Sequence, residues 1–232
     1  MNKFHSILLI GSLALASNLT ATIVAIPNYS FELDGASQYS VPSLWQEDQA
    51  RGDETHFAFS GRMAAVNGLS PIDGTLMGRI AVNGDADPLT SFTATISTVL
   101  TDTFAADTLY TFTVYAARDG YVENNQQFVV GGLRANGVSV ANFNVDILSL
   151  NSGTAEEDIF YATSVSLSTV DNPSIVGTPI SVYVGMRHND NYNKTISFDN
   201  VSLNATAVPE PSTYAAFLAL CVLGFVAIRR RC

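Results

Sequence analysis

The sequence predicts an all-β domain, an antiparallel β-sandwich, between residues 22 and 205. Segments such as SFTATISTVL and PISVYVGM alternate in polarity with a period of two and are rich in threonine, valine and aromatic residues. Breaks rich in Asn, Asp and Gly, such as NGDADP and NSGTAEED, separate these segments. About ten such strands without a fixed-period repeat favour a jelly roll over a propeller or a solenoid.

Composition limits the size and the partners of this domain. The chain has 232 residues, of which 47% are hydrophobic and 14% charged, enough for one packed domain plus targeting segments. Seven basic and twenty acidic residues lie between residues 32 and 199, a net charge of about −13. This charge argues against nucleic acid or anionic lipid and favours cations or neutral polymers. Both cysteines, Cys221 and Cys232, lie near the C-terminus, so the domain has no internal disulfide.

The first 21 residues have the features of a signal peptide. Lys3 precedes an apolar run over residues 7–16, which is too short to span a bilayer. Ala14 and Ala16 fit the small-residue cleavage pattern, and Ala21 marks a second possible site. The alternative is a buried helix, but the charge, the apolar run and the small residues occur in the order of an export signal.

The C-terminal region predicts a membrane helix. Residues 212–228 carry no charge and would form a helix about 25 Å long, slightly short of a hydrocarbon core of about 30 Å. Arginines at 229, 230 and 231 follow, and the positive-inside rule keeps them in the cytoplasm. The domain before this helix is then expected outside the cytoplasm, in agreement with the signal peptide.

Pro209, Glu210 and Pro211 form a tripeptide that the apolar helix and the arginine cluster follow in this order. With these three parts, the tail from residue 206 to residue 232 resembles a PEP-CTERM sorting signal of exported bacterial proteins. The resemblance implies recognition by an exosortase and transfer toward the cell surface or an extracellular polysaccharide matrix. The alternative is an ordinary tail anchor after a proline-rich linker.

The predicted domain starts with IPNYSFELDG and finishes with TISFDNVSL. These two segments resemble the first and last strands of galactose-binding-like jelly rolls, which include carbohydrate-binding modules. The resemblance implies that Glu32 and Asp199 help to hold a structural calcium ion, which takes six to eight oxygen ligands. The other interpretation is that both are solvated carboxylates at strand ends.

Sugar contacts are predicted in two polar loops. Tyr192 and Asn191 lie in the loop RHNDNYNK, and Tyr121 lies in DGYVENNQQ. Tyrosine can stack on a pyranose ring while amides bind its hydroxyl groups. Asn and Asp are also common in hairpin turns for backbone reasons alone, so a plain turn is the alternative. Trp45 is expected in the core, because a single tryptophan in an apolar sandwich usually fills its interior.

The residues give no sign of catalysis. His56 and His188 are isolated from each other, and neither a zinc motif nor a nucleophile elbow is present. Two functions from different classes therefore remain, and a glycoside hydrolase would return as a third only if two carboxylates faced each other across a cleft. One is a carbohydrate-binding module attached to surface polysaccharide, and the other is a structural matrix or envelope protein with no specific ligand.

Overall fold

The computed structural model describes residues 21–33, 41–50, 57–63, 69–83, 92–118, 127–147, 159–188 and 194–209, together with Val222, Leu223, Val226 and Arg229. In these residues the chain forms eleven strands and one short 3-10 turn. They are β1 Thr22–Val24, β2 Gln46–Ala50, β3 Phe57–Met63, β4 Met77–Asn83, β5 Phe92–Thr103, β6 Thr108–Arg118, β7 Gln127–Ala135, β8 Val138–Asp146, β9 Tyr161–Ser168, the turn Pro173–Ile175, β10 Pro179–His188 and β11 Lys194–Ala207.

The strands form two antiparallel sheets, which confirms the predicted all-β fold class. The six-stranded sheet has the order β3-β4-β11-β6-β9, with β1 added beside β11. The five-stranded sheet has the order β2-β5-β10-β7-β8. From β4 to β7 and from β8 to β11, each strand lies in the opposite sheet from the one before it, as the chain crosses the sandwich repeatedly.

The core lies between the two sheets and follows from the period-two pattern. On β10, four alternate side chains are fully buried and belong to the core, namely Ile180, Val182, Val184 and Met186. The facing strands contribute Phe112 and Val114 from β6 and Phe198 and Leu203 from β11. Successive side chains of a strand point to opposite faces, so the residues between these four on β10 face outward.

The segment before β2 closes one edge of the core. Trp45 is buried, as predicted, and its ring lies 5.5 Å from that of fully buried Phe31. Asn28 holds this segment together, since its side-chain oxygen accepts from the Leu33 N–H and its amide donates to the Ser43 carbonyl. The Trp45 indole in turn donates to the Asn28 carbonyl. The aromatic pair is therefore fixed by both packing and hydrogen bonds.

The N-terminal and C-terminal residues of the domain lie at the same end of the sandwich. β1 pairs with β11 in antiparallel register, with Thr22 opposite Ala205. Beyond the last strand, the Val208 N–H donates to the Asp107 carbonyl in the turn between β5 and β6. The first and the last residues of the folded domain are therefore neighbours.

Beyond Pro209, the tail is described at four positions only. Val222, Leu223, Val226 and Arg229 are helical, and all four are exposed. Within the part of the chain that the structure describes, no helix is long and apolar enough to cross a membrane. The rest of the predicted helix 212–228 and residues 1–20 of the predicted signal peptide lie outside the described residues.

Candidate functional site

Glu32 and Asp199, the two predicted calcium ligands, bind the same loop, which spans residues 72–76. One Glu32 oxygen accepts from the backbone N–H groups of Thr75 at 2.7 Å and Leu76 at 2.6 Å. The other oxygen accepts from the Thr75 hydroxyl at 2.8 Å. Gly74 in this loop has a φ of +73°, and a Cβ there would lie 2.4 Å from the Glu32 oxygen. Only glycine allows so close an approach.

Asp199 is completely buried and is satisfied by three backbone N–H groups. Its Oδ2 accepts from Ile72 at 2.5 Å and Asp73 at 3.0 Å, and its Oδ1 accepts from Asn200 at 2.7 Å. The pairing of β11 with β6 is interrupted directly after Asp199, which turns this carboxylate toward the loop. Asp199 and Glu32 thus join the last strand and the N-terminal segment to one loop, and we call this arrangement the carboxylate clip.

The pKa values of the two carboxylates of the clip are shifted in opposite directions. Burial raises the pKa of Asp199, although N–H donors from Asp73, Asn200 and Ile72 favour its charged form. At Glu32 desolvation also acts to raise the pKa, but hydrogen bonds from Leu76 and Thr75 outweigh it and lower the pKa. The difference follows from exposure, since Asp199 is buried and Glu32 is partly exposed.

Hydrogen bonds from the chain reach both carboxylates of the clip. Every carboxylate oxygen of Glu32 and Asp199 accepts at least one hydrogen bond from the chain itself. In the described ranges, no group of three or more His, Cys, Asp or Glu side chains could hold a metal ion. Calcium takes six to eight oxygen ligands, so further oxygens, such as backbone carbonyls, would have to join these two carboxylates to form a calcium site. Calcium binding stays a prediction of the family resemblance.

Replacing Glu32 with glutamine should lower stability at neutral pH and leave it unchanged in acid. The folded protein holds the pKa of Glu32 below its ordinary value of 4.5. Its carboxylate therefore stabilises the fold above about pH 4.5, and this contribution is lost as the pH falls through the folded pKa. We expect a loss of about 1 kcal/mol at pH 7, a value reduced for solvent screening.

Melting temperatures of the wild type and of Glu32→Gln between pH 7 and pH 2.5 provide the test. Asp171→Asn, a change at an exposed aspartate of the turn before Pro173, serves as the control. If the difference in melting temperature between the wild type and Glu32→Gln stays constant over this pH range, the charged Glu32 carboxylate does not stabilise the fold.

A second site lies on the outward side of the five-stranded sheet, where β7, β8 and β10 run side by side. Register places Tyr183 opposite Gly132 and Arg187 opposite Phe128. On β8, Asn142 and Asn144 face outward and are exposed, since Phe143 between them is in the core. We call this surface the outer face, and its residues are Ser181, Tyr183, Gly185 and Arg187 on β10, Phe128, Val130, Gly132 and Arg134 on β7, and Asn142, Asn144 and Asp146 on β8.

Two arginines of the outer face stack on aromatic rings of the neighbouring strand. The guanidinium carbon of Arg134 lies 4.3 Å from the centre of the Tyr183 ring, and that of Arg187 lies 4.5 Å from the centre of the Phe128 ring. Both distances are typical of cation–π contacts. These pairs join positions 49 and 59 residues apart in sequence, so only the register of β7 with β10 brings them together. The sequence analysis did not identify them.

Hydrogen bonds add to the order of both pairs. With its amide oxygen turned toward the arginine, Asn144 accepts from both terminal nitrogens of Arg187 at 3.2 and 3.1 Å. The Arg187 Nε is buried and has no hydrogen-bond partner among the described residues. At the other pair, the Tyr183 hydroxyl lies 3.4 Å from that of Ser139. The outer face therefore carries cationic, aromatic and amide groups side by side.

The predicted sugar-binding residues Tyr121, Asn191 and Tyr192 lie outside the described residues. The strands that lead into their loops are described. β7 begins at Gln127 and β10 ends at His188, and these two residues are paired. The loop of Tyr121 therefore ends, and the loop of Asn191 and Tyr192 begins, beside the Arg187 pair at one end of the outer face.

Comparison with known proteins supports the sorting signal. The PEP-CTERM protein-sorting motif matches residues 207–231, which confirms the signal predicted for residues 206–232. This motif implies export directed by an exosortase, with anchoring in the membrane through the C-terminal region before processing. No curated protein matches the sequence.

Solved structures share the fold of the domain. A cyclase from Fischerella sp. TAU has a TM-score of 0.63 and 17% identity, and the match covers 82% of this chain and all of that one. A carbohydrate-binding module, TmCBM61 in complex with beta-1,4-galactotriose, has a TM-score of 0.46 and 12% identity, and the match covers 77% of this chain and 95% of that one. At such identities the similarity is one of fold alone. The chain is thus an exported β-sandwich protein that carries a PEP-CTERM sorting motif.

Proposed function

We propose that this protein is sorted by an exosortase to the cell surface or the extracellular matrix and binds polysaccharide there, without catalysis. The observation that carries the proposal is the outer face, on which two arginine–aromatic pairs lie beside exposed amides. Binding at the Arg187 end would extend to the loops of Tyr121, Asn191 and Tyr192, which remain predictions from the sequence.

The chemistry of the outer face suits sugars for two reasons. Asn142 and Asn144 offer both donors and acceptors, which sugar hydroxyl groups need. The two aromatic pairs are separated by the distance from Tyr183 to Arg187 along β10, about 13 Å at the rise of a strand. A polysaccharide chain lying along β10 could contact both pairs at once, whereas a monosaccharide could not.

Asn144→Ala should weaken retention of the protein on polysaccharide about fivefold, because one neutral hydrogen bond contributes about 1 kcal/mol. The measurement is binding of the secreted protein to a panel of soluble and insoluble polysaccharides. Asn204→Ala is the matched control, since Asn204 lies on the outward side of the six-stranded sheet, between two inward residues. Tyr121→Ala and Tyr192→Ala test the predicted loops in the same assay.

The assay also separates the proposal from its alternative. If the folded protein is retained on no polysaccharide, the proposal of polysaccharide binding is wrong, and a structural role in the matrix takes its place. If Asn144→Ala and Asn204→Ala lose retention equally, the outer face is not the binding surface.

A further inference from the structure

We propose that the end of the sandwich from which the tail leaves docks on the membrane that holds the tail, and that cleavage of the tail releases it. The partner is the headgroup region of a bilayer of neutral lipids. This inference goes beyond the proposed function and does not depend on polysaccharide binding. It rests on the anchoring of the C-terminal region in the membrane before processing.

Five large apolar side chains are exposed at this end of the sandwich, which we call the exit end. They come from five separate segments, namely Ile23 on β1, Leu109 on β6, Val138 on β8, Val170 after β9 and Val176 after the 3-10 turn. Ile23 is 76% exposed and Val138 67%. Single exposed apolar residues are common on protein surfaces, but a group of them at one end indicates an interaction surface.

Strand pairing and turn hydrogen bonds place these side chains where the tail leaves. The pairing of β1 with the last residues of β11 brings Ile23 to the exit end, and Leu109 pairs with β11 next to its final residue. Val138 is the first residue of β8, in the hairpin beside the start of β10. The backbone N–H groups directly before Val170 and directly after Val176 donate to carbonyls at the turn between β5 and β6. The first residue after β11 donates to the same turn.

The two ends of the sandwich differ in charge. Between β4 and β11 the chain makes three connections at the exit end, residues 104–107, 136–137 and 169–178, and they contain two acidic residues, Asp107 and Asp171. The four connections at the opposite end contain eight acidic residues and span residues 84–91, 119–126, 147–160 and 189–193. None of the seven contains lysine or arginine. The exit end is therefore the less acidic one, and a neutral bilayer suits it better than an anionic one.

The tail limits how far the exit end can lie from the bilayer. The apolar segment begins at Ser212, five residues after Ala207, which ends β11. Five residues reach at most about 18 Å when fully extended. A tether of this length gives the exit end an effective concentration at the bilayer of about a millimolar or more. A weak apolar contact is then well populated while the tail is intact, and it is lost when the tail is cut.

Fluorescence quenching of the full-length protein in phosphatidylcholine vesicles tests the docking. Both native cysteines are replaced with serine, and a label is attached after Ser174→Cys in the exposed 3-10 turn or after Ala162→Cys on β9. Ala162 lies six residues, about 20 Å, along β9 from Ser168 at the exit end. With nitroxide groups on the lipid headgroups, quenching at position 174 should be about threefold stronger than at position 162. The processed form, which ends between residues 208 and 211, should show no quenching at either position.

Two aspartate substitutions test the apolar side chains. Val138→Asp and Val170→Asp together should reduce quenching at position 174 to the level at position 162, because charged side chains enter the membrane interface at a cost. Ile159→Asp is the matched control, since Ile159 is 45% exposed, as against 44% for Val170, and precedes β9 at the opposite end. Replacing part of the phosphatidylcholine with phosphatidylglycerol should weaken the wild-type quenching at low salt.

Equal quenching at positions 174 and 162 of the full-length protein would contradict docking. Quenching at position 174 that survives both aspartates would mean that the tether alone brings the exit end close, and equal quenching in the processed form would mean that the tail is not needed. Stronger quenching with phosphatidylglycerol would contradict the preference for neutral lipid. If the full chain does not float with the vesicles, anchoring and docking are both wrong, while polysaccharide binding is unaffected. Should the aspartate variant fail to fold, the two label positions still decide.

Discussion

Replacing Asp199 with alanine should lower the free energy of unfolding by about 3 kcal/mol and the melting temperature by about 9 °C. The change leaves the N–H groups of Ile72, Asp73 and Asn200 without their acceptor, in a place where the carboxylate has no contact with solvent. It also frees the loop from the last strand. Thermal melting at pH 7 measures the effect. Asp102→Ala, at an exposed position of β5, should change stability by less than about 0.5 kcal/mol.

The same samples decide whether the clip also binds calcium. A rise in the melting temperature of the wild type with calcium, and none in Asp199→Ala, would make the carboxylates metal ligands. Equal melting with calcium and with a chelator would leave them as hydrogen-bond acceptors alone. If Asp199→Ala has the same melting temperature as the wild type, the clip does not stabilise the fold.

Changing Pro209, Glu210 and Pro211 together to alanine should abolish C-terminal processing in a host with an exosortase. The wild type should be recovered as a shortened form that ends between residues 208 and 211, and the variant should keep its tail in the membrane fraction. The intact mass of the protein in each fraction is the measurement. Pro173→Ala, an exposed proline of the folded domain, is the control.

The structure also narrows the expected start of the mature chain. We expect from the signal peptide that the mature chain starts between Ser17 and Ile26, but β1 begins at Thr22 and pairs with β11. We therefore expect a start no later than Thr22, since a later one would remove β1. A secreted form that retains residues 229–232 would contradict the sorting function.

The sandwich could be predicted from the sequence because a long strand repeats the period-two pattern several times. β5, β6 and β10 are each ten or more residues long, and on β6 the even-numbered residues from Tyr110 to Ala116 are buried while those between them are more exposed. Shorter strands carry weaker signals. β1 has three residues, and β4 places Gly78 and Arg79 side by side, so neither shows a clear alternation.

For the candidate sites, the sequence predicted some of the residues but not the contacts that they make. Resemblance to known jelly rolls drew attention to Glu32 and Asp199, and they do meet at one loop. Their hydrogen bonds to backbone N–H groups could not be foreseen, because those depend on the turn at Gly74 and on the irregularity after Asp199. The pairs on the outer face depend on the register of two strands distant in sequence, which no local pattern contains.

The positions of the N- and C-terminal residues affect how the domain is presented while its tail is still held in the membrane. Residue 22 and residue 207 leave the sandwich beside each other, next to the turn between β5 and β6. Arg187 and Phe128 lie at the opposite ends of their strands, since β10 begins beside the end of β5. A bilayer that holds the tail would then be far from this pair, so polymer capture need not wait for proteolysis. Cleavage would change how far the protein travels, and the surface it offers would stay the same.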